Sequence, residues 1–207
     1  MNSLIKKSRF YSALIIFLFF IHSLGICQSK WELRKNENGI KVYTRSVPGI
    51  DIQEFKAISD VNVDNIHQIV DKLIDIATYP SWMSNCSSAT LIQKNGKIPE
   101  IVHMTTDIPW PLNDRDIVFD YNVVTYNDSL FTVKLSPSKK TVPLVDEVIR
   151  ITNAKGGWKL IKKDTGTVTV IYQFYGEPGG YIPSWVVNMF IVDGPFTTLT
   201  NLKEMFD

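Results

Sequence analysis

An α+β fold is expected for this chain, a curved antiparallel sheet covered on one face by a C-terminal helix. Three observations point to it. From residue 89 to residue 175, short segments of alternating apolar and polar residues follow one another, separated by Gly, Pro, Asn and Asp turn signals. Residues 183–206 carry apolar side chains at three- and four-residue spacing behind a proline. One helical insertion, at about residues 64–76, interrupts the strands. A lone sheet must bury its apolar face, and the C-terminal helix is the obvious cover.

The elements follow in order. Residues 30–35 and 39–47 read as two strands around a turn at 36–39, and 53–59 alternates as a third. In the insertion, Ile66, Ile69, Val70, Leu73 and Ile76 keep the spacing of one buried helix face, with Asp64 as the expected N-cap. Tyr79-Pro80-Ser81-Trp82-Met83 reads as a short aromatic helix. Further strands are expected at 89–94, 100–108, 116–126, 129–136, 146–153, 157–163 and 167–175. Their inward sets are Ile117, Phe119, Tyr121 and Val123; Phe131, Val133 and Leu135; and Val168, Val170, Tyr172 and Phe174. Gly179 and Gly180 end the last strand, because glycine accepts backbone angles that other residues avoid. Pro183 restarts the chain as a helix, where its missing amide hydrogen is no loss. The expected buried stripe of that helix is Trp185, Met189, Val192, Phe196, Leu199, Leu202 and Phe206, with a kink or brief break at Gly194-Pro195.

Length and composition suit one domain behind an export signal. The chain has 207 residues, 44% hydrophobic and 12% aromatic. Lys6, Lys7 and Arg9 precede an unbroken apolar run at 13–21, with Ser23 and Gly25 beyond it. This is the pattern of a secretory signal peptide over residues 1–27, cut before Gln28. An uncleaved anchor over residues 10–27 and lipidation at Cys27 are the alternatives. Removing the three basic residues of that segment leaves 19 Lys+Arg against 21 Asp+Glu, a net charge of −2. That balance carries no basic patch of the nucleic-acid-binding kind. Cys86 becomes the sole cysteine and is expected as a buried small hydrophobe. Two scattered histidines, His67 and His103, give no metal-ligand spacing, so no metal is expected. No nucleophile elbow, phosphate loop or dinucleotide fingerprint is present. Arg115-Asp116 reads as a structural ion pair opening a strand, with an acid/base pair as the alternative. Trp110 and Leu112 occupy an apolar loop, either touching a membrane or packing on the C-terminal helix.

Four segments carry a resemblance to a known family. Residues 38–45 (NGIKVYTR), 110–116 (WPLNDRD), 157–160 (GWKL) and 177–188 (EPGGYIPSWVVN) stand in the family's order. They resemble, respectively, the early strand, the Ω-loop with its Arg-Asp, the G-x-W-x-L strand and the D-P-G-G-x-I-P-x-W-x-x-N junction of START domains, the steroidogenic-acute-regulatory-related lipid-transfer fold. Glu177 stands where that junction has Asp. The resemblance spans residues 31–206 and implies a helix-grip fold over 28–207: the sheet grips the long helix around one lipid-sized cavity. It implies binding, and transfer or sequestration, of one hydrophobic ligand, with the Ω-loop and C-terminal helix as gate; from the glycine and proline positions, the expected hinges of that opening are Gly179-Gly180 and Gly194-Pro195. The expected cavity lining is Met104, Trp110, Phe119, Tyr121, Val123, Val133, Trp158, Val170, Tyr172, Phe174, Trp185, Met189, Phe196 and Leu199. Arg115, Asp116, Gly179, Gly180 and Pro183 are expected as structural motif residues. Members that bind choline phospholipids carry an inward Arg six residues after the Arg of Arg-Asp; here that position is Tyr121, which favours a less charged ligand such as a sterol-like lipid, fatty acid or polyprenoid. The expected protein is a non-enzymatic monomer without cofactor, exported to the periplasm or outside, or anchored by its N-terminal segment. Its expected partners are a lipid or other hydrophobic small molecule and, transiently, a membrane surface. The alternatives are a cavity-type enzyme using Tyr121, Tyr172 and His103 as acid/base groups, and a filled-core interaction module.

Overall fold

The alternating segments become strands of one sheet. The computed structural model describes residues 29–49, 52–140, 142–163, 166–180 and 182–206, with the side chains of Ser184 and Trp185 left out. The expected signal segment, residues 1–27, lies outside the described residues. The strands are β1 (Glu32–Glu37), β2 (Ile40–Ser46), β3 (Gln53–Asn62), β4 (Cys86–Asn95), β5 (Ile98–Thr106), β6 (Asp114–Tyr126), β7 (Leu130–Pro137), β8 (Val148–Arg150), β9 (Ala154–Lys162) and β10 (Thr167–Gly176). Their order is β1-β2-β3-β10-β9-β7-β6-β5-β4, antiparallel throughout, with β8 lying parallel beside the start of β6. The last long strand thus sits between the N-terminal hairpin and the middle of the chain. Asn38 and Gly39, both at positive φ, form the two-residue turn between β1 and β2.

Helix α1 (Ile66–Ile74) buries Ile66, Ile69, Val70 and Leu73, as its spacing predicts. Its N-cap is Asn65 rather than Asp64. The Asn65 side chain accepts from the His67 amide at 2.9 Å while the Gln68 side chain accepts from the Asn65 amide at 3.3 Å. This reciprocal pair needs the amide side chain one residue later than the simpler acidic cap. A 3-10 turn (Ile76–Thr78) and the short α2 (Tyr79–Trp82) follow. The expected strand at 146–153 shrinks to three residues, because only Val148–Arg150 finds a partner.

The C-terminal helix runs from Ser184 to Glu204 in three parts: α3 (Ser184–Asn188), a π-helical segment (Met189–Asp193) and α4 (Gly194–Glu204). No break occurs at Gly194-Pro195. Pro195 has no amide hydrogen to return to the preceding turn. The Gly194 amide instead reaches back five residues to the Met189 carbonyl, which absorbs the proline inside a continuous helix. The extra residue rotates everything before it relative to everything after it. Leu199 and Leu202 are fully buried as expected, but in the earlier half Val187, Phe190 and Ile191 turn towards the sheet in place of Met189 and Val192. Half α4 packs on β2, β3 and α2. It is tied there by Asn201 Nδ2 donating to the Trp82 carbonyl at 2.8 Å and the Ser84 amide donating to Thr198 Oγ1 at 3.1 Å. Among the described residues no helix is long and apolar enough to cross a membrane.

Candidate ligand cavity

Aromatic strand residues and the helix enclose an open space that the core does not fill. Its volume is about 520 Å³, within the roughly 300–1,000 Å³ of small-molecule sites. One wall is Phe55 of β3 with Tyr172, Phe174 and Tyr175 of β10. The facing wall is Cys86 of β4, Met104 and Thr106 of β5, and Arg115 of β6. The roof is Val187, Phe190, Ile191, Pro195 and Thr198 of the C-terminal helix. Met83, Ser84, Asn85, Ile108, Ile151 and Pro178 close the sides, and Arg34 and Gln53 stand at the β1–β3 side. A void of about 40 Å³ lies deeper, lined by Phe119, Tyr121 and Trp158 and sharing Met83, Met104, Tyr172 and Phe174 with the main space.

The expected lining divides accordingly. Met104, Tyr172 and Phe174 face the main cavity, while Phe119, Tyr121 and Trp158 face only the inner void. Val133, Val170 and Leu199 are packed into the solid core, and Val123 packs against it. Close packing of neighbouring strands leaves no space beside them. Met189 does not line the cavity because of the π turn; Phe196, beyond that turn, packs against the core outside the cavity and lies under the Lys35 ammonium at 4.1 Å. Trp110 is 90% exposed and lines nothing, and it does not pack on the helix. The Trp185 side chain lies outside the described residues. Pro183 starts the helix, its carbonyl accepting from the Val186 and Val187 amides. Phe55, Cys86, Thr106, Phe190, Ile191 and Thr198 escaped the sequence reading. For Phe55 the alternation of β3 carried a signal; for the helix residues only the Gly-Pro pair did.

Arg115 and Asp116 do not pair with each other. Neighbours on a strand point to opposite faces. Arg115, buried with 3% exposure, turns inward and donates to three backbone carbonyls: Asn113, Pro178 at 3.0 Å and Gly179 at 3.2 Å. It clasps the loop before β6 to the junction after β10, where Gly179 and Gly180 both take positive φ. Asp116, 2% exposed, turns outward. It accepts from Arg150 at 2.6 and 2.7 Å and meets His103 Nε2 at 2.8 Å, fastening β8 to β6. Burial alone pushes the Asp116 carboxyl up, but hydrogen bonds from Arg150 and His103 reverse this and hold it below the usual carboxylate range.

The polar groups inside are poorly suited to acid/base work. The Tyr79 and Tyr121 hydroxyls both donate to the Leu73 carbonyl, at 2.6 and 3.0 Å. Burial pushes the Tyr121 and Tyr172 hydroxyls well above the ordinary tyrosine value. His103 sits on the opposite face of β5 from Met104, so it does not join the two tyrosines. Burial, with the Asp107 charge adding to it, pushes the Cys86 thiol up to about 11. A neutral thiol is a poor nucleophile. Cys86 is therefore expected to react with iodoacetamide at pH 7.5 at least about ten-fold more slowly than free cysteine; a rate matching free cysteine would contradict the buried setting. Among the described residues no group of three or more His, Cys, Asp or Glu is placed to hold a metal.

A sheet closed over an internal cavity by one long C-terminal helix is the arrangement expected of the resembled family. The model of the START domain family matches residues 25–204. The chain belongs to that family. This START domain is 32% identical over 174 residues to a Pseudomonas aeruginosa protein described as uncharacterized, covering 84% of this chain and 85% of that one. It is 24% identical over 162 residues to the phosphatidylcholine transfer protein of Bos taurus, covering 76% of this chain and 75% of the bovine protein. Among solved structures, the STAR-related lipid transfer protein of Xanthomonas axonopodis superposes with a TM-score of 0.74 at 31% identity, over 85% of this START domain's chain and 98% of its own. Human StAR-related lipid transfer protein 5 superposes with a TM-score of 0.73 at 16% identity, over 100% of this chain and 98% of its own, which speaks to fold alone.

Proposed function

We propose that this START domain binds one hydrophobic, lipid-like molecule in the cavity, without chemical turnover, and transfers or sequesters it outside the cytoplasm. The observation that carries this reading is the apolar and aromatic space of about 520 Å³ under the C-terminal helix. A filled core would leave no such space, and moving apolar ligand surface out of water supplies ~25 cal/mol per Å². Relatives named as lipid transfer proteins agree with it. Export rests on the basic-apolar-small order of residues 1–27.

Entry requires the roof to move. Half α4 is tied to α2 and its flanking loop by side-chain hydrogen bonds, while no such tie is seen for α3 among the described residues. The π segment is held at its far end by Lys35 Nζ on Asp193 Oδ1 at 3.3 Å, so opening moves α3 and the start of that segment away from Pro178 and Arg115. Beside this edge, exposed apolar side chains gather. β8 runs parallel to β6, so the segments leading into both lie at one end of the sheet. They present Trp110, Leu144 and Val145 to solvent. An aromatic ring flanked by aliphatic groups suits the membrane–water interface, and this end is read as a transient membrane contact.

The test is native mass spectrometry with lipid extraction on the protein purified from its own host. A stoichiometric co-purified lipid is expected. Protein that arrives empty and takes up no fatty acid, sterol or phospholipid on incubation would sink the reading. Trp110→Ala should lower partitioning onto anionic vesicles by on the order of ten-fold, since one ring removes more than 1.4 kcal/mol of apolar burial; unchanged partitioning would dismiss the contact.

A further inference from the structure

The cavity carries charge of one sign. Among its described lining residues Arg34 and Arg115 are the charged ones, and no Asp or Glu stands with them. Arg34 is exposed, with its own contact to Thr44 Oγ1 at 3.5 Å. Arg115 is buried, and no carboxylate among the described residues lies within salt-bridge distance of it. Asp114 acts on it only at longer range, its carboxylate already accepting from the Ile108 amide at 2.9 Å. A guanidinium has five N–H groups. Three go to the carbonyls of Asn113, Pro178 and Gly179, which leaves one on each terminal nitrogen. Carbonyl dipoles satisfy hydrogen bonds but do not cancel a unit charge, and a buried charge without a counter-charge is costly. Burial accordingly draws the Arg115 pKa below the ordinary arginine value, with Asp114 opposing.

The wall beyond Arg115 is ordered. The alternation that turns Asp116 outward places Arg115, Ile117, Phe119 and Tyr121 on one inward row of β6. At about 3.3 Å per residue, that row is about 20 Å long. It starts at the main cavity, beside the clasped junction, and ends at the inner void between Tyr121 and Trp158. Ile117 in that row is packed in the core and lines neither space; the main cavity and the inner void adjoin at Met83, Met104, Tyr172 and Phe174, so the charge at Arg115 and these apolar and aromatic side chains follow in the order head group, then tail. We propose that Arg115 is the head-group residue of this cavity and that the ligand is a one-tailed lipid with an anionic head, a carboxylate or a phosphate monoester, whose tail runs inward towards Tyr121. The two remaining terminal N–H groups suit the two oxygens of either head. The inference rests on the lipid-cavity reading and narrows its ligand class; the cation that Tyr121 lacks is supplied at the opposite end of the same strand.

Three probes with one oleyl tail separate the two readings: oleate, oleyl phosphate and oleyl alcohol, each titrated against the lipid-stripped protein by displacement of a fluorescent reporter. At least one of the two anions should bind about ten-fold or more tightly than the alcohol, the size of a charge-assisted hydrogen-bonded contact. The tighter of the two identifies carboxylate or phosphate as the source. In Arg115→Gln the ratio of anion to alcohol affinity should fall towards one. The ratio is the readout, so any general loosening of the junction cancels. Arg115→Lys, which keeps the charge, should retain part of the preference, and the wild-type ratio stands even if a variant fails to fold. Equal binding of all three probes by the wild-type protein overturns the anionic head while leaving the cavity reading intact. A preference that survives Arg115→Gln overturns the assignment to Arg115. No binding of any probe overturns the one-tailed anionic ligand, and the cavity reading falls with it only if sterol and phospholipid are refused as well.

Discussion

Asp116→Ala is expected to lower stability by about 3–5 kcal/mol, on the order of 10 °C in Tm for a domain of this size. The carboxylate is 2% exposed and holds Arg150 through two hydrogen bonds of 2.6 and 2.7 Å, with His103 at 2.8 Å. Removing it strands a cation on the outer face of the sheet, where β8 has only three residues of backbone pairing to keep it on β6. The pair is a unit, so the double change Asp116→Ala with Arg150→Ala should cost clearly less than the sum of the single changes. Strict additivity in thermal unfolding would remove the pair from the account. The pH dependence follows from the depressed carboxyl. Its contribution is fully present above the unfolded aspartate value of about 3.9 and is lost as pH falls through the lower folded value. The stability gap between wild type and Asp116→Asn should therefore be constant above about pH 5 and narrow below about pH 4. The cavity feels this anchor indirectly: Ile151, which follows β8 directly, lines it, and the Glu177 amide donates to the Asn153 carbonyl at 2.8 Å just before the Arg115 clasp.

The second large effect is expected at Gly157. A Cβ there would lie 2.0 Å from the Val133 carbonyl oxygen and 3.2 Å from the Lys134 Cα, both backbone atoms of the paired strand β7. Nothing flexible stands in the way to yield, so β7 and β9 must separate. Gly157→Ala should cost about 3 kcal/mol or more, at the top of the overpacking range. It should also disturb the cavity, because the next residue, Trp158, stacks on Tyr172 with ring centroids 4.0 Å apart and planes at 2°. Gly96→Asn is the matched control. Gly96 has open space around its Cβ position and a φ of 59°, which asparagine tolerates. Chemical denaturation that places Gly157→Ala within about 0.5 kcal/mol of wild type would refute the close approach.

Much of this architecture is legible in the sequence. The order of elements, the inward rows of β6, β7 and β10, and the buried face of α1 all follow from periods of two and 3.6 residues. The Asn38-Gly39 turn and the glycines that end β10 follow from backbone sterics. The family follows from four motifs whose residue types serve those same turns and strand starts. These features are local, and a local pattern needs only the residues that carry it.

Other features needed the chain brought together. Nothing near Asp116 in sequence announces Arg150, 34 residues on, or the carbonyls of 178 and 179 that hold Arg115 63 and 64 residues away. A charged side chain has many acceptors within its chemistry and only those that folding brings within reach. The first half of the C-terminal helix presents a different face from the one its 3.6-residue periodicity predicts because a π turn intervenes, and whether Gly194-Pro195 breaks, kinks or widens a helix depends on what packs against it. The cavity is the clearest case. Val133, Val170 and Leu199 fill the core, while Met104, Tyr172 and Phe174 line an open space, yet all six are large, apolar or aromatic and inward-facing. A void is a small difference between the volume that the backbone encloses and the volume that side chains occupy. Composition and pattern bound the second quantity, and only the curvature of the sheet and the height of the helix above it set the first.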